Sequence, residues 1–276
     1  MPELPPAAHE LASAFLELVD ARLPGRIEGL YLTGSIALGD FRPGVSDIDF
    51  VAMTVEPLSD RALDVLDHVH AELRASPNRP ALEGIYLCWA DLANPPAQAQ
   101  RRPYHLGGVF HRGKVCFEAN PVTWQVLGGH AVVVRGPAAL DLWADPKVLA
   151  GWTIANLNSY WASWVERHAS RLADTPSPAQ FDAQEGAWGA LGVARLHYTL
   201  ATGGITSKDG AGAYAMAAFP PRWHRILSAC RAARRQAAPA PFTTAQFGEV
   251  LAFMRAVIDD ANTLARRQAA SFTGSS

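Results

Sequence analysis

The chain has 276 residues, 49% of them hydrophobic and 18% charged, and its 24 basic and 26 acidic side chains leave a formal charge of −2. That length is comfortable for two domains, and that apolar content fills large cores and does not match a disordered composition. The charge balance lacks the cationic footprint of a nucleic-acid binder, no run of about 18 apolar residues marks a membrane span, and the three dispersed cysteines, Cys88, Cys116 and Cys230, suggest buried thiols rather than a disulfide framework or a zinc ribbon.

The opening Met-Pro-Glu-Leu-Pro-Pro has no cationic patch ahead of an apolar core, so no signal peptide is read and a cytoplasmic protein is expected. Leu11, Phe15, Leu18, Val19 and Leu23 recur at helical spacing and predict an amphipathic helix over 6–23. A strand is predicted near 28–33, a short helix from about Ser35, and a second strand over 47–54. Residues 59–75 read as a helix closed by Ser76-Pro77-Asn78-Arg79-Pro80, and 82–89 as a third strand. The Pro-, Gln- and Gly-rich stretch 92–114 reads as loop with strand character near Gly108–His111, followed by a short strand at Val115–Glu118, a helix at 121–129 and a strand at 130–135.

From about 145 the strand signals stop. Helices rich in Ala, Trp and Leu are predicted over 146–173, 179–202, 207–218, 221–236 and 243–269. Ser207 reads as an N-cap that leaves Lys208 in a first turn, and Arg231–Arg235 and Arg266-Arg267 read as solvated helix faces. The predicted fold is therefore α+β: a mixed sheet flanked by helices over 1–145, then an all-α helical bundle over 146–276.

The densest chemical signal is Leu32–Val51. An apolar run, Leu30-Tyr31-Leu32, leads into Gly34-Ser35, and Asp47-Ile48-Asp49 opens the next run, Phe50-Val51-Ala52-Met53. Alternate strand side chains share a face, so Asp47 and Asp49 point one way while Ile48 and Phe50 enter a core. Two carboxylates 4 Å apart repel by roughly 4 kcal/mol at an effective dielectric near 20. A cation between them relieves this, and magnesium with its hard oxygen ligands suits the pair. Asp47 also suits a plain turn after Pro43-Gly44-Val45-Ser46. Gly34 permits a close backbone approach, and Ser35 offers a hydroxyl where a helix begins and a phosphate is favoured. No Gly-Lys-Ser/Thr or Gly-x-Ser-x-Gly accompanies them, which excludes a P-loop and a nucleophile elbow.

Gly34-Ser35, Gly39 and Ser46-Asp47-Ile48-Asp49-Phe50 together resemble the signature of the DNA polymerase beta-like nucleotidyltransferases. That resemblance implies magnesium (one or two ions) on Asp47 and Asp49, with a third carboxylate on a nearby strand. Glu83, which opens the alternating run Ile85, Leu87, fills that place as general base; read alone, it is a solvent-facing strand charge. Residues 195–217 further resemble the helical domain of streptomycin/spectinomycin-type aminoglycoside adenylyltransferases, and Asn120–Pro137, with its run Val132–Pro137, resembles the end of their catalytic domain.

The resemblance implies ATP as co-substrate, with Gly34, Ser35, Ser46, Arg195 and Lys208 at its phosphates, and transfer of AMP to a small cationic hydroxylated acceptor. The family holds its drug with an acid and an asparagine ahead of the phosphate arginine, where this chain has Glu185 and Trp188. Asp182 and Trp89 are further candidate acceptor residues. The alternatives are a different hydroxylated metabolite, a protein side chain, or an idle nucleotide-binding module. No nucleic-acid, membrane or obligate protein partner is implied.

Overall fold

The computed structural model describes residues 4–76 and 79–273. Residues 1–3 of the N-terminal stretch, Pro77-Asn78 of the predicted helix stop and residues 274–276 lie outside that set. The chain divides into two compact units, Met1–Asp145 and Pro146–Ser276.

In the first unit α1 (Pro6–Arg22) precedes β1 (Gly29–Leu32), a one-turn α2 (Gly34–Ala37) and β2 (Ile48–Thr54). Helix α3 (Asp60–Arg74) then leads to β3 (Leu82–Cys88) and the short α4 (Trp89–Leu92). The unit closes with β4 (Tyr104–Leu106), β5 (Val109–His111), α5 (Pro121–Gly129) and β6 (Val132–Arg135). Ser59 caps α3 by accepting the Ala62 amide, while Asp60 in its first turn and Arg74 in its last match the helix dipole.

The six strands lie in the order β5-β4-β3-β2-β1-β6. Among the described residues only β2 and β3 are parallel, joined through α3; the other four pairings of this sheet are antiparallel, so the sheet is mixed. The period-2 alternation fills both faces. Ile48, Phe50 and Ala52 pack with Leu30, Leu32 and Tyr86 beneath Phe15 and Val19 of α1 and Leu66 and Val69 of α3. Val51, Met53, Ile85 and Leu87 pack with Trp124 and Leu127 of α5 on the other side. Asp20 accepts two bonds from the Arg135 guanidinium, at 2.8 and 2.6 Å, tying α1 to β6.

Two expectations for this unit change. Val115–Glu118 is not a strand: a single backbone bond from the Cys116 amide to the Gln100 carbonyl (2.7 Å) leads into a turn. The strand character near Gly108–His111 belongs to a β4–β5 hairpin, whose Gly107-Gly108 turn the composition had merged into loop.

The second unit is helical: α6 (Pro146–Asn156), a π-turn (Leu157–Trp161), α7 (Ala162–Asp174), α8 (Ala183–Thr202), α9 (Lys208–Ala218), α10 (His224–Arg234) and α11 (Thr244–Thr273). Residues 146–173 were predicted as one helix, and the π-turn now interrupts that run. The predicted start of α8 also moves. Asp182 caps it by accepting the Gln184 amide at 2.7 Å, leaving β7 (Gln180–Phe181) extended to pair with β8 (Phe242–Thr243). Leu191, Val193 and Ala194 of α8 are buried with Phe247, Phe253, Met254 and Val257 of α11. Among the described residues, no helix is long and apolar enough to cross a membrane.

Candidate active site

The parallel pairing of β2 with β3 sets Asp49 directly opposite Glu83. Both sit at the start of their strands on the face that Val51 and Ile85 continue into the core. Asp47 is one step before β2, exposed, and two residues from Asp49, so the alternation gives it the same side. The third element is the end of β1. The Thr33 amide donates to the Asp49 carbonyl at 2.9 Å, which brings Gly34 against the Asp49 side chain. Gly34 has φ +54, and a Cβ there would stand 1.7 Å from Asp49 Oδ2. Only glycine fits.

The loop that delivers Asp47 is bonded to itself. The Val45 and Ser46 amides donate to the Arg42 carbonyl at 3.0 and 2.8 Å, and the Arg42 amide returns a bond to Ser46 Oγ at 3.0 Å. The Arg42 guanidinium grips buried Asp40 through Nε and Nη2 at 3.1 and 2.9 Å. Ser46, expected at a phosphate, is itself buried and its hydroxyl serves this loop closure. Asp40 and Arg42 were not picked out from the sequence, because an Asp-x-Arg pair in a loop carries no spacing signal.

Glu83 is half-buried. Burial pushes its carboxyl above the ordinary range, the Gly107 amide, donating to Oε1 at 2.8 Å, pulls it back, and the Asp47 charge raises it again. A carboxylate raised by burial and a like charge is closer in basicity to a proton-accepting role.

Does this donor set suit magnesium and a phosphate? Among the described residues no three His, Cys, Asp or Glu side chains converge tightly enough to hold a metal between them. Asp47 and Asp49 offer hard oxygens that a phosphate would have to supplement, as magnesium commonly requires. Ser35 Oγ, one residue from the Gly34 contact, is buried without a hydrogen-bond partner. Buried polar atoms are rarely left unsatisfied, so this hydroxyl suits a ligand oxygen. The set fits.

The remaining predicted residues, apart from Trp89, lie in the helical unit. Arg195 is half-buried on α8, and Lys208 is the first residue of α9, with Ser207 capping as predicted (Gly210 amide to Oγ, 3.0 Å). Next to it, Asp209 accepts two bonds from Arg231 (3.0 and 2.9 Å) and one from Arg235 (2.8 Å), and the Arg231 bonds hold its carboxyl below the usual range. Arg231 and Arg235 are therefore not simply a solvated face.

Glu185 in the first turn of α8 lies 2.9 Å from His168 Nε2 and accepts from Arg171 at 3.2 Å. Trp188, 36% exposed, packs against Tyr160, Trp161 and Trp164 around the π-turn. Asp182 is occupied as the α8 cap. Trp89 is a correction: it follows the far end of β3, ~20 Å along the strand from Glu83 at the usual rise. Its indole donates to Glu28 at 2.8 Å, so its aromatic surface belongs to the opposite end of the sheet.

Residues 12–82 match the nucleotidyltransferase domain family, and residues 183–260 match the family described as aminoglycoside adenylyltransferase, C-terminal domain. The chain belongs to the aminoglycoside nucleotidyltransferases. Within that family the first match covers β1, Gly34 and both aspartates and ends at Leu82, immediately before Glu83; the second carries Arg195 and Lys208. The solved structure of spectinomycin adenyltransferase AAD(9) from Enterococcus faecialis, with ATP and spectinomycin, matches at TM-score 0.63 and 15% identity, over 92% of this chain and 99% of that one. That likeness shows a shared fold. No curated protein matches the chain in sequence.

Proposed function

We propose that this aminoglycoside nucleotidyltransferase moves AMP from ATP to a hydroxyl of an aminoglycoside of the streptomycin/spectinomycin kind, releasing pyrophosphate and so conferring resistance. The observation that carries the reading is the register of Asp49 with Glu83, with Gly34 closed against Asp49. It sets two acidic side chains side by side at the edge of a glycine turn, which supports a metal role for one and a base role for the other.

Asp47 and Asp49 would hold magnesium, which when bound supplies positive charge to the phosphate oxygens. Gly34 lets the turn close on Asp49, and the Ser35 hydroxyl beside it donates to the triphosphate. Glu83 takes the proton of the acceptor hydroxyl through Oε2, since Oε1 already accepts from Gly107. The hydroxyl oxygen then bonds to the α-phosphorus, the α–β bridging bond breaks, and pyrophosphate departs with that electron pair. Arg195 and Lys208 are assigned to the charge on the leaving pyrophosphate. Glu185 and Trp188 are assigned to the acceptor, a carboxylate and an aromatic face being what several ammonium groups require.

Pyrophosphate release from ATP-magnesium over a panel of aminoglycosides tests the reading. Release dependent on spectinomycin or streptomycin is the expected result. ATP binding with no release on any drug would move the chain to another acceptor or to an idle nucleotide-binding module.

A further inference from the structure

The β4–β5 hairpin reaches the base through its turn. Leu106 pairs with Val109, leaving Gly107 and Gly108 as a two-residue loop, with φ +59 and +73. Positive φ at both positions is the type I′ pattern that Gly-Gly favours and that matches strand twist. The ladder of such a turn does not use the amide of its first central residue. Here that amide, Gly107 N–H, donates to Glu83 Oε1.

In the sheet, β4 pairs with β3 at Gly84↔His105 and Ile85↔Tyr104, and the Tyr86 amide donates to the Pro103 carbonyl at 2.9 Å just before β4. His105 Nδ1 also meets the Leu82 carbonyl at 2.8 Å, and a further set of holds lies along one face of α3. Asp64 and Asp67 face Arg112 just past β5 at 2.8 and 3.8 Å. His70 stacks on His105 with ring centroids 3.9 Å apart. Arg74, exposed in the last turn, donates from Nη1 to the Gly108 carbonyl. Residues 64, 67, 70 and 74 share the i, i+3, i+4 spacing of a single helix face.

We propose that the Gly107-Gly108 turn is a positioning element for Glu83, and that Arg74 is the residue that keeps the turn in place. One carboxylate oxygen is thereby fixed and the other is presented to the acceptor hydroxyl. The inference rests on Glu83 being the base. Supporting residues of this kind keep a reacting group within tenths of an ångström of its working geometry, and small misplacements are costly in rate.

The test uses the full chain with ATP-magnesium and spectinomycin. Arg74→Ala should lower kcat about ten-fold or more while both KM values stay within about two-fold, and Arg74→Lys, which can still donate to the Gly108 carbonyl, should recover much of the loss. Because Arg74 acts through Glu83, Arg74→Ala added to Glu83→Gln should slow that variant no further. The same factor of loss in the Glu83→Gln background, or a change in KM alone, overturns the proposal. If Arg74→Ala does not accumulate folded, Arg112→Ala removes another hold on the hairpin and faces the same criteria. Amide exchange at Gly107 is an independent readout: faster exchange in Arg74→Ala supports the proposal and unchanged exchange overturns it. Full activity of Glu83→Gln alone would instead refute the base assignment, and the Gly107 exchange would still decide whether Arg74 holds the turn.

Discussion

Gly34 lies against Asp49 so closely that a single added carbon would stand 1.7 Å from Oδ2, with backbone φ at +54. Position 34 approaches the Asp49 side chain this closely only because it has no side chain of its own. In the proposed function this contact joins the turn assigned to the phosphates to the carboxylate assigned to the metal.

Gly34→Ala should therefore displace Asp49 and cost activity well beyond stability. AMP transfer is expected to fall about a hundred-fold or more, with a stability loss of about 1–3 kcal/mol from strain at positive φ and overlap. Steady-state kinetics beside urea unfolding checks both. Near-normal transfer would mean that the turn can move away from Asp49 without consequence.

Asp49→Asn and Glu83→Gln should fail differently. The first is expected to weaken metal-dependent ATP binding together with turnover; the second should leave ATP-magnesium affinity within a few fold while transfer falls by about 10²–10⁴. Calorimetric ATP titrations with and without magnesium distinguish them. Equal ATP affinity in all three proteins would remove Asp49 from the metal role.

Much of this was legible in the sequence, and the reasons are local. Period-2 alternation placed Ile48 and Phe50 in the core, with Asp49 on the opposite face, and the Ser207 cap was visible as a residue type before a helix. The spacing of β2 and β3 along the chain does not state their register, so only the fold could show Asp49 opposite Glu83. The π-turn at Leu157–Trp161 has no sequence signal, because it contains neither Gly nor Pro and interrupts no apolar periodicity. The Gly107-Gly108 turn carried one, a Gly pair between two apolar residues, but its meaning for Glu83 depends on tertiary contact. Trp89 was chosen by residue type alone, although six residues of strand already set it ~20 Å from Glu83, at the other end of the predicted strand 82–89.

Asp209 gives a pH-dependent prediction. Its folded carboxyl is held below the unfolded value, chiefly by the Arg231 hydrogen bonds, so its contribution is present above the unfolded value and lost as pH falls through the folded one. Asp209→Asn should cost about 1–2 kcal/mol near pH 7, and the difference from wild type should shrink as both are acidified below the ordinary aspartate range. Urea midpoints at a series of pH values check it; a gap that persists in acid would point to packing rather than charge.

The cysteines should be inert in the native protein. All three are buried and unpaired by disulfide, with burial pushing the Cys116 thiol up to about 11 and Cys230 to about 12. A thiol-exchange reagent at neutral pH should label none of them until denaturant is added. Rapid native labelling of Cys116 or Cys230 would contradict this burial.

Mass spectrometry of spectinomycin incubated with the protein and ATP-magnesium is the most direct test of the carboxylate site as an adenylylating centre. The predicted result is a drug heavier by one AMP and a matching release of pyrophosphate, both abolished in Glu83→Gln. Transfer that survives Glu83→Gln at the wild-type rate, or unmodified drug across an aminoglycoside panel despite ATP binding, would contradict it.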